Sequence, residues 1–131
     1  MQLTIKTTKK QELIDITNKI EDILKKQEIK NGIINIYIQH TTASLIINEN
    51  NDPNICTDLL NSLSSIVPSG KWLHDKIDDN ASAHIKSSIL NSSLTIPFEN
   101  KKLLLGQWQS IMVVELDGPR NRNIIITIIK S

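Results

Sequence analysis

Between Ile33 and Gln39 the chain alternates so that Ile34, Ile36 and Ile38 fall on one face, with Ile33, Asn35, Tyr37 and Gln39 on the other. A period of two belongs to a β-strand with one buried face. Such a strand needs partners in a sheet and a second layer over its apolar row. Further strands are read over residues 3–5, 13–16, 44–48, 94–97, 103–105, 109–116 and 124–129. Asp117-Gly118-Pro119 predicts a hairpin connection between the last two.

Helices are expected between the strands. Ile16, Ile20, Ile23 and Leu24 form one apolar stripe after a Thr17 or Asn18 cap, and Asn31-Gly32 is read as closing that helix. Asp52-Pro53 is a cap and first-turn pair for a second helix carrying Ile55, Leu59, Leu63 and Ile66. Residues 71–80 show no period and are expected to form a loop. Asp79, Asn80 or Ser82 caps a short third helix carrying His84, Ile85 and Ile89. These elements predict a single α+β domain over residues 1–131: mostly antiparallel or mixed β-sheets with about three helices packed on them.

Only 3% of the 131 residues are aromatic, so the core must be aliphatic. The formal net charge is +1, so no strong field exists to steer a nucleic acid or an anionic membrane. Lys9–Lys10, Lys25–Lys26 and Lys101–Lys102 read as isolated, solvated pairs. Cys56 is alone, so no internal disulfide forms, as suits a reducing compartment. No apolar run approaches the ~20 residues of a membrane span. The cytoplasm is the expected location.

The residues open to chemistry are few. His40 continues the Ile34, Ile36, Ile38 row and should point the same way, where it needs a polar partner. A neighbouring hydroxyl, Thr41 or Thr42, would satisfy it. His74 lies in the irregular stretch beside Asp75, Asp78 and Asp79, and His84 in the first turn of the third helix. Read one by one, each is an ordinary core or surface histidine. Together, three imidazoles can hold a metal with an open position, yet no HxH or HExxH spacing is present. Glu115 follows Ile111 and Val113 in strand register. It is either an inward carboxylate fit for acid–base or cation work, or an edge-strand charge in water. Arg120 and Arg122 are the only arginines among 15 basic residues, and their planar forks suit phosphate or carboxylate. Trp72 and Trp108 read as core or interface anchors.

Four ordered blocks carry a resemblance across nearly the whole chain. They are His40-Thr41-Thr42-Ala43-Ser44-Leu45-Ile46-Ile47-Asn48-Glu49 with Asp52-Pro53, then Asp78-Asp79-Asn80-Ala81-Ser82-Ala83-His84-Ile85-Lys86. Next come Ser93-Leu94-Thr95-Ile96-Pro97 with Leu105-Gly106-Gln107-Trp108-Gln109, and Glu115-Leu116-Asp117-Gly118-Pro119-Arg120. The chain resembles the YjbQ-like family, known as the secondary thiamine-phosphate synthase family. It departs from the family pattern at Gln107, usually threonine, and at Asn91, commonly glycine.

The resemblance implies a small α+β protein that forms homotrimers. It implies a divalent metal, zinc or magnesium, held by His40, His74 and His84, with Glu49, Asp79 and Arg120 as catalytic companions. The implied activity is a weak joining of a pyrimidine pyrophosphate to a thiazole phosphate, giving thiamine phosphate and pyrophosphate. The expected function is therefore that of a metal-dependent enzyme acting on phosphorylated small molecules. A metal-assisted hydrolase and a non-enzymatic trimeric anion-binding protein stay open beside it.

Overall fold

The computed structural model describes residues 1–131. Eight strands and four helices follow in the order β1 (Gln2–Lys6), β2 (Glu12–Asp15), α1 (Thr17–Lys25), β3 (Gly32–Ile38), β4 (Ala43–Asn48), α2 (Pro53–Ile66), α3 (Asp75–Asp78), α4 (Ala81–Ile89), β5 (Ser93–Glu99), β6 (Lys102–Leu103), β7 (Ser110–Glu115) and β8 (Asn121–Lys130). Five strands form one sheet in the order β1-β8-β3-β5-β6, and three form another in the order β2-β7-β4. Every pairing is antiparallel.

The alternation in β3 is realised as read. Ile34, Ile36 and Ile38 are buried, while Ile33 and Tyr37 are exposed. The buried row packs with Ile124 and Ile126 of β8 and Ile96 and Phe98 of β5, against Ala43, Leu45, Ile111 and Val113 of the smaller sheet. Ile20 and Leu24 of α1 join the same core. Each such aliphatic side chain contributes roughly 1.5–3 kcal/mol by leaving water. The other face of the small sheet, through Ile46, Met112, Val114 and Leu116, is covered by Ala83 of α4 and by Cys56, Leu59 and Leu60 of α2. The layers are thus sheet, sheet, helices.

Several local expectations change. Residues 71–80 contain the one-turn helix α3. The first helix is not capped by the Thr17 or Asn18 side chain. Asp15 Oδ1 instead accepts the Thr17 N–H and hydroxyl, at 2.9 and 2.6 Å. Nor does Gly32 close α1, which ends at Lys25. Gly32 opens β3, where a Cβ would lie 2.0 Å from the Ile129 carbonyl oxygen, so only glycine lets β3 and β8 approach. Asp117-Gly118-Pro119 is not a hairpin turn. Strand β7 belongs to the small sheet and β8 to the large one, so this corner carries the chain between layers. Trp108 is 57% exposed, which removes it from the core.

Candidate functional site

The sheet crossover and the ends of β3 and β4 meet at one edge of the molecule. There an open cleft of about 700 Å³ is lined by Gln39, His40, Thr41, Thr42, Asp78, Asn80, His84, Arg120, Asn121 and Arg122. None of these residues is apolar. Beneath it lies a buried ion pair. The Arg122 guanidinium binds the Glu115 carboxylate through both Nε and Nη2, with Nε–Oε2 at 2.8 Å. Nη2 also donates to the Thr42 carbonyl oxygen at 3.1 Å and to its hydroxyl at 2.9 Å. Glu115 further accepts the Thr7 hydroxyl at 2.8 Å and the Asp117 N–H at 2.9 Å. Burial alone would raise the Glu115 pKa, but its bonds to Arg122, Asp117 and Thr7 hold it below the usual carboxylate value. Glu115 is therefore neither the free acid–base group nor the edge charge that the sequence left open. Its pair joins β7 of one sheet to β8 of the other. Arg122 Nη1 keeps no partner within the chain.

Asp117 is the second hub. It accepts Lys10 Nζ at 2.7 Å, Asn80 Nδ2 at 2.8 Å and Arg120 Nη2 at 3.1 Å. Burial raises its pKa, yet these bonds and the Lys10 charge lower it overall, to about 2. Arg120 is thereby held at the rim, with its Nε on the Asp117 carbonyl oxygen at 2.8 Å.

His40 is placed by the end of the β3–β8 ladder. Asn123 accepts the Gln39 N–H at 3.1 Å and donates its own N–H to His40 Nε2 at 2.8 Å. Burial, then the charges of Arg122 and Arg120, push the His40 pKa below the usual imidazole value, with Glu115 pulling the other way. With Nε2 accepting a backbone N–H, the ring is held in its neutral form.

The opposite wall comes from α3 and α4. His74 and His84 meet edge to face with ring centroids 4.8 Å apart. His74 Nε2 lies 3.6 Å from Asp78 Oδ2. Asp75, not singled out by sequence, ties this segment down. Its two oxygens accept the Trp72 and Ala81 N–H groups, each at 3.0 Å. Its pKa is held below the usual carboxylate value, first by these two bonds. Ser87 of α4 donates to the Ala43 carbonyl oxygen at 2.9 Å, which sets α4 beside the start of β4.

The structure therefore brings His40, His84 and Arg120 to one cleft, with His74 against His84. Glu49 is elsewhere. It follows the far end of β4, and six strand residues put it roughly 20 Å from the cleft end. Asp79 caps α3 in the left-handed conformation, exposed, while its neighbours Asp78 and Asn80 line the cleft. Asn80, considered in the sequence only as a cap, leaves its buried Oδ1 without a partner.

No three His, Cys, Asp or Glu side chains meet at one point. His74 and His84, with Asp78 and the orphaned Asn80 Oδ1 on their wall, have donor chemistry that suits a divalent ion. His40 differs, because its Nε2 lone pair is already engaged.

The fold and cleft define a class: a two-sheet antiparallel α+β domain with an all-polar, histidine- and arginine-lined edge cleft. The chain belongs to the UPF0047 protein YjbQ-like family, whose model matches residues 1–131. A UPF0047 protein of Archaeoglobus fulgidus is 42% identical over 127 residues, covering 96% of this chain and 98% of that one. The Bacillus subtilis UPF0047 protein YugU is 43% identical over 124 residues, covering 95% and 94%. A crystal structure of a family protein from Clostridium acetobutylicum matches with a TM-score of 0.93 at 38% identity, over 98% of this chain and 99% of that one. A YbjQ-like protein of Sulfolobus solfataricus matches at 0.94 and 38%, over 100% and 96%. No helix is long and apolar enough to cross a membrane.

Proposed function

We propose that this protein is a metal-dependent enzyme acting on phosphorylated small molecules, with a weak capacity to join a pyrimidine pyrophosphate to a thiazole phosphate. The observation that carries the reading is the division of the cleft. Arg120 and Arg122 supply cationic donors on one wall, and His74, His84, Asp78 and Asn80 supply lone pairs on the other. A phosphorylated ligand matches the first wall through the planar guanidinium fork. A divalent ion, zinc or magnesium, bound at His74 and His84 would supply charge that stabilises a departing pyrophosphate. Arg120, at the rim, orients the phosphate and neutralises part of its charge. Arg122 does the same from below through Nη1.

Assembly as a homotrimer belongs to the same proposal. Leu73 and Ile77, 85% and 77% exposed, flank His74 and Asp78 on the helical wall. A second copy covering them would also close the cleft to water. A monomeric mass by light scattering would sink that part. The cytoplasm is the proposed location, on the strength of the single cysteine.

The test is turnover by the purified protein with zinc or magnesium. Thiamine phosphate formation from the two heterocyclic phosphates is measured beside phosphate release from a panel of monoesters. Both should fall at least about tenfold in His84→Ala. Monoester release without coupling would make the protein a hydrolase. Thermal stabilisation by phosphate ligands with no turnover would leave a binding protein.

A further inference from the structure

We propose that His40 serves the cleft as a hydrogen-bond donor to a ligand oxyanion, through Nδ1–H, and is not one of the groups that hold a metal. The inference rests on the reading of the cleft as a phosphate site.

The geometry starts from Asn123. A backbone N–H can only donate, so His40 Nε2, 2.8 Å away, must present its lone pair. The alternative ring flip would set a C–H against that N–H, so the orientation is determined by the backbone. A neutral imidazole with its Nε2 lone pair engaged carries its proton on Nδ1. His40 lines the cleft, and its Nδ1 has no partner within the chain. The imidazole takes the place of the Gln39 carbonyl, which would otherwise accept the Asn123 N–H and complete the Gln39–Asn123 pair of the β3–β8 ladder.

Metal ligation by His40 would need one of two costly changes. Binding through Nε2 would orphan the Asn123 N–H. Binding through Nδ1 would require removal of the ring proton from an imidazole whose other nitrogen already accepts. His84 makes no side-chain hydrogen bond, and His74 makes none either: its nearest contacts are the edge-to-face His84 ring and Asp78 Oδ2 at 3.6 Å. Their lone pairs are open, whereas that of His40 is not. The Nδ1–H instead shares the sheet-side lining of the cleft with Arg120 and Arg122, whose guanidinium groups can only donate. That is the complement of a phosphate or pyrophosphate oxygen.

Two measurements test this on the full-length protein. Long-range ¹H–¹⁵N spectra of ¹⁵N-histidine-labelled protein should show His40 as the Nδ1–H tautomer. Added zinc chloride should shift His74 and His84 and leave the His40 Nε2 signal in place. An Nε2–H tautomer, or a zinc-dependent shift at His40 Nε2, would overturn the proposal. The second is calorimetry with inorganic pyrophosphate and with zinc chloride, each alone. His40→Ala should weaken pyrophosphate about tenfold, the loss of one charge-assisted hydrogen bond, with zinc affinity within about twofold of the parent. His84→Ala should show the reverse. Parallel loss of zinc in both variants overturns the role given to His40. If the parent binds pyrophosphate but no zinc, the metal part of the functional reading fails while the donor role of His40 stands. If it binds no pyrophosphate, the donor role itself fails.

Discussion

The two walls of the cleft are built in opposite ways. The sheet wall, with His40, Thr42 and Arg122, rests on strand ends and on a carboxylate, Glu115, with no exposure. Its polar groups are cross-bonded between sheets, so they are rigid and already set to donate outward. The helical wall, with His74, Asp78 and His84, rests on a one-turn helix and the start of α4. Its side chains are exposed or half-buried and mostly unbonded. A rigid wall suits recognition of an anion of set geometry, because ordering has been completed on folding. A loosely held wall suits ligation of something that arrives later.

The largest effect is expected at Arg122, which anchors the sheet wall. Arg122→Ala leaves Glu115 buried without its partner and should cost about 3–5 kcal/mol, read by urea unfolding. A loss below about 1 kcal/mol would mean that the sheet wall is not held by this pair.

Asp117→Asn comes next. The folded value of Asp117 lies below its unfolded one, about 2 against 3.8, so its stabilisation is complete above pH 4 and is lost as pH falls toward 2. The substitution should remove roughly 2 kcal/mol near neutrality and flatten the decline in stability across that acid window. Glu115 titrates with the same sign, since its value is also lowered. Thermal unfolding as a function of pH in both proteins checks this. An unchanged acid profile would remove Asp117 as a hub.

The helical wall should respond less. Asp78→Asn is expected to change stability by no more than about 0.5 kcal/mol, because its contact with His74 is a long, exposed pair. It should still weaken zinc binding severalfold by calorimetry. A large stability loss would show that this wall is bonded as tightly as the other. The smallest effect belongs to Asp79→Gly. At φ 52° the residue is in the left-handed region, and glycine there should stabilise the protein by about 0.5 kcal/mol, visible as a slightly raised Tm. Phosphate turnover should be unchanged, since Asp79 does not line the cleft.

Much of the scaffold was legible along the chain. The alternation of β3, the stripe of α1 and the Asp52-Pro53 start of α2 are local signals, set by the period of each element and by backbone chemistry at its ends. The resemblance named His84 and Arg120, which line the cleft, but also Glu49 and Asp79, which do not. Strand length carries the first away from it, and helix termination turns the second out of its lining. Asn80 was read only as a cap and Thr42 only as a partner for His40, because the bonds through which they act, to Asp117 and to Arg122, are made only by folding.

The α+β class, the aliphatic core and the strand that stops just short of His40 follow from side-chain periodicity and burial, which are written along the chain. Folding placed β7 and β8 in different sheets. The same folding set Glu115 against Arg122 and brought His74 to His84. It also occupied one nitrogen of His40 with a backbone N–H from a strand 83 residues away in the chain. Long-range pairing is a matter of which ladders close and which charges cannot be left alone in a low-dielectric interior, and no local pattern encodes it.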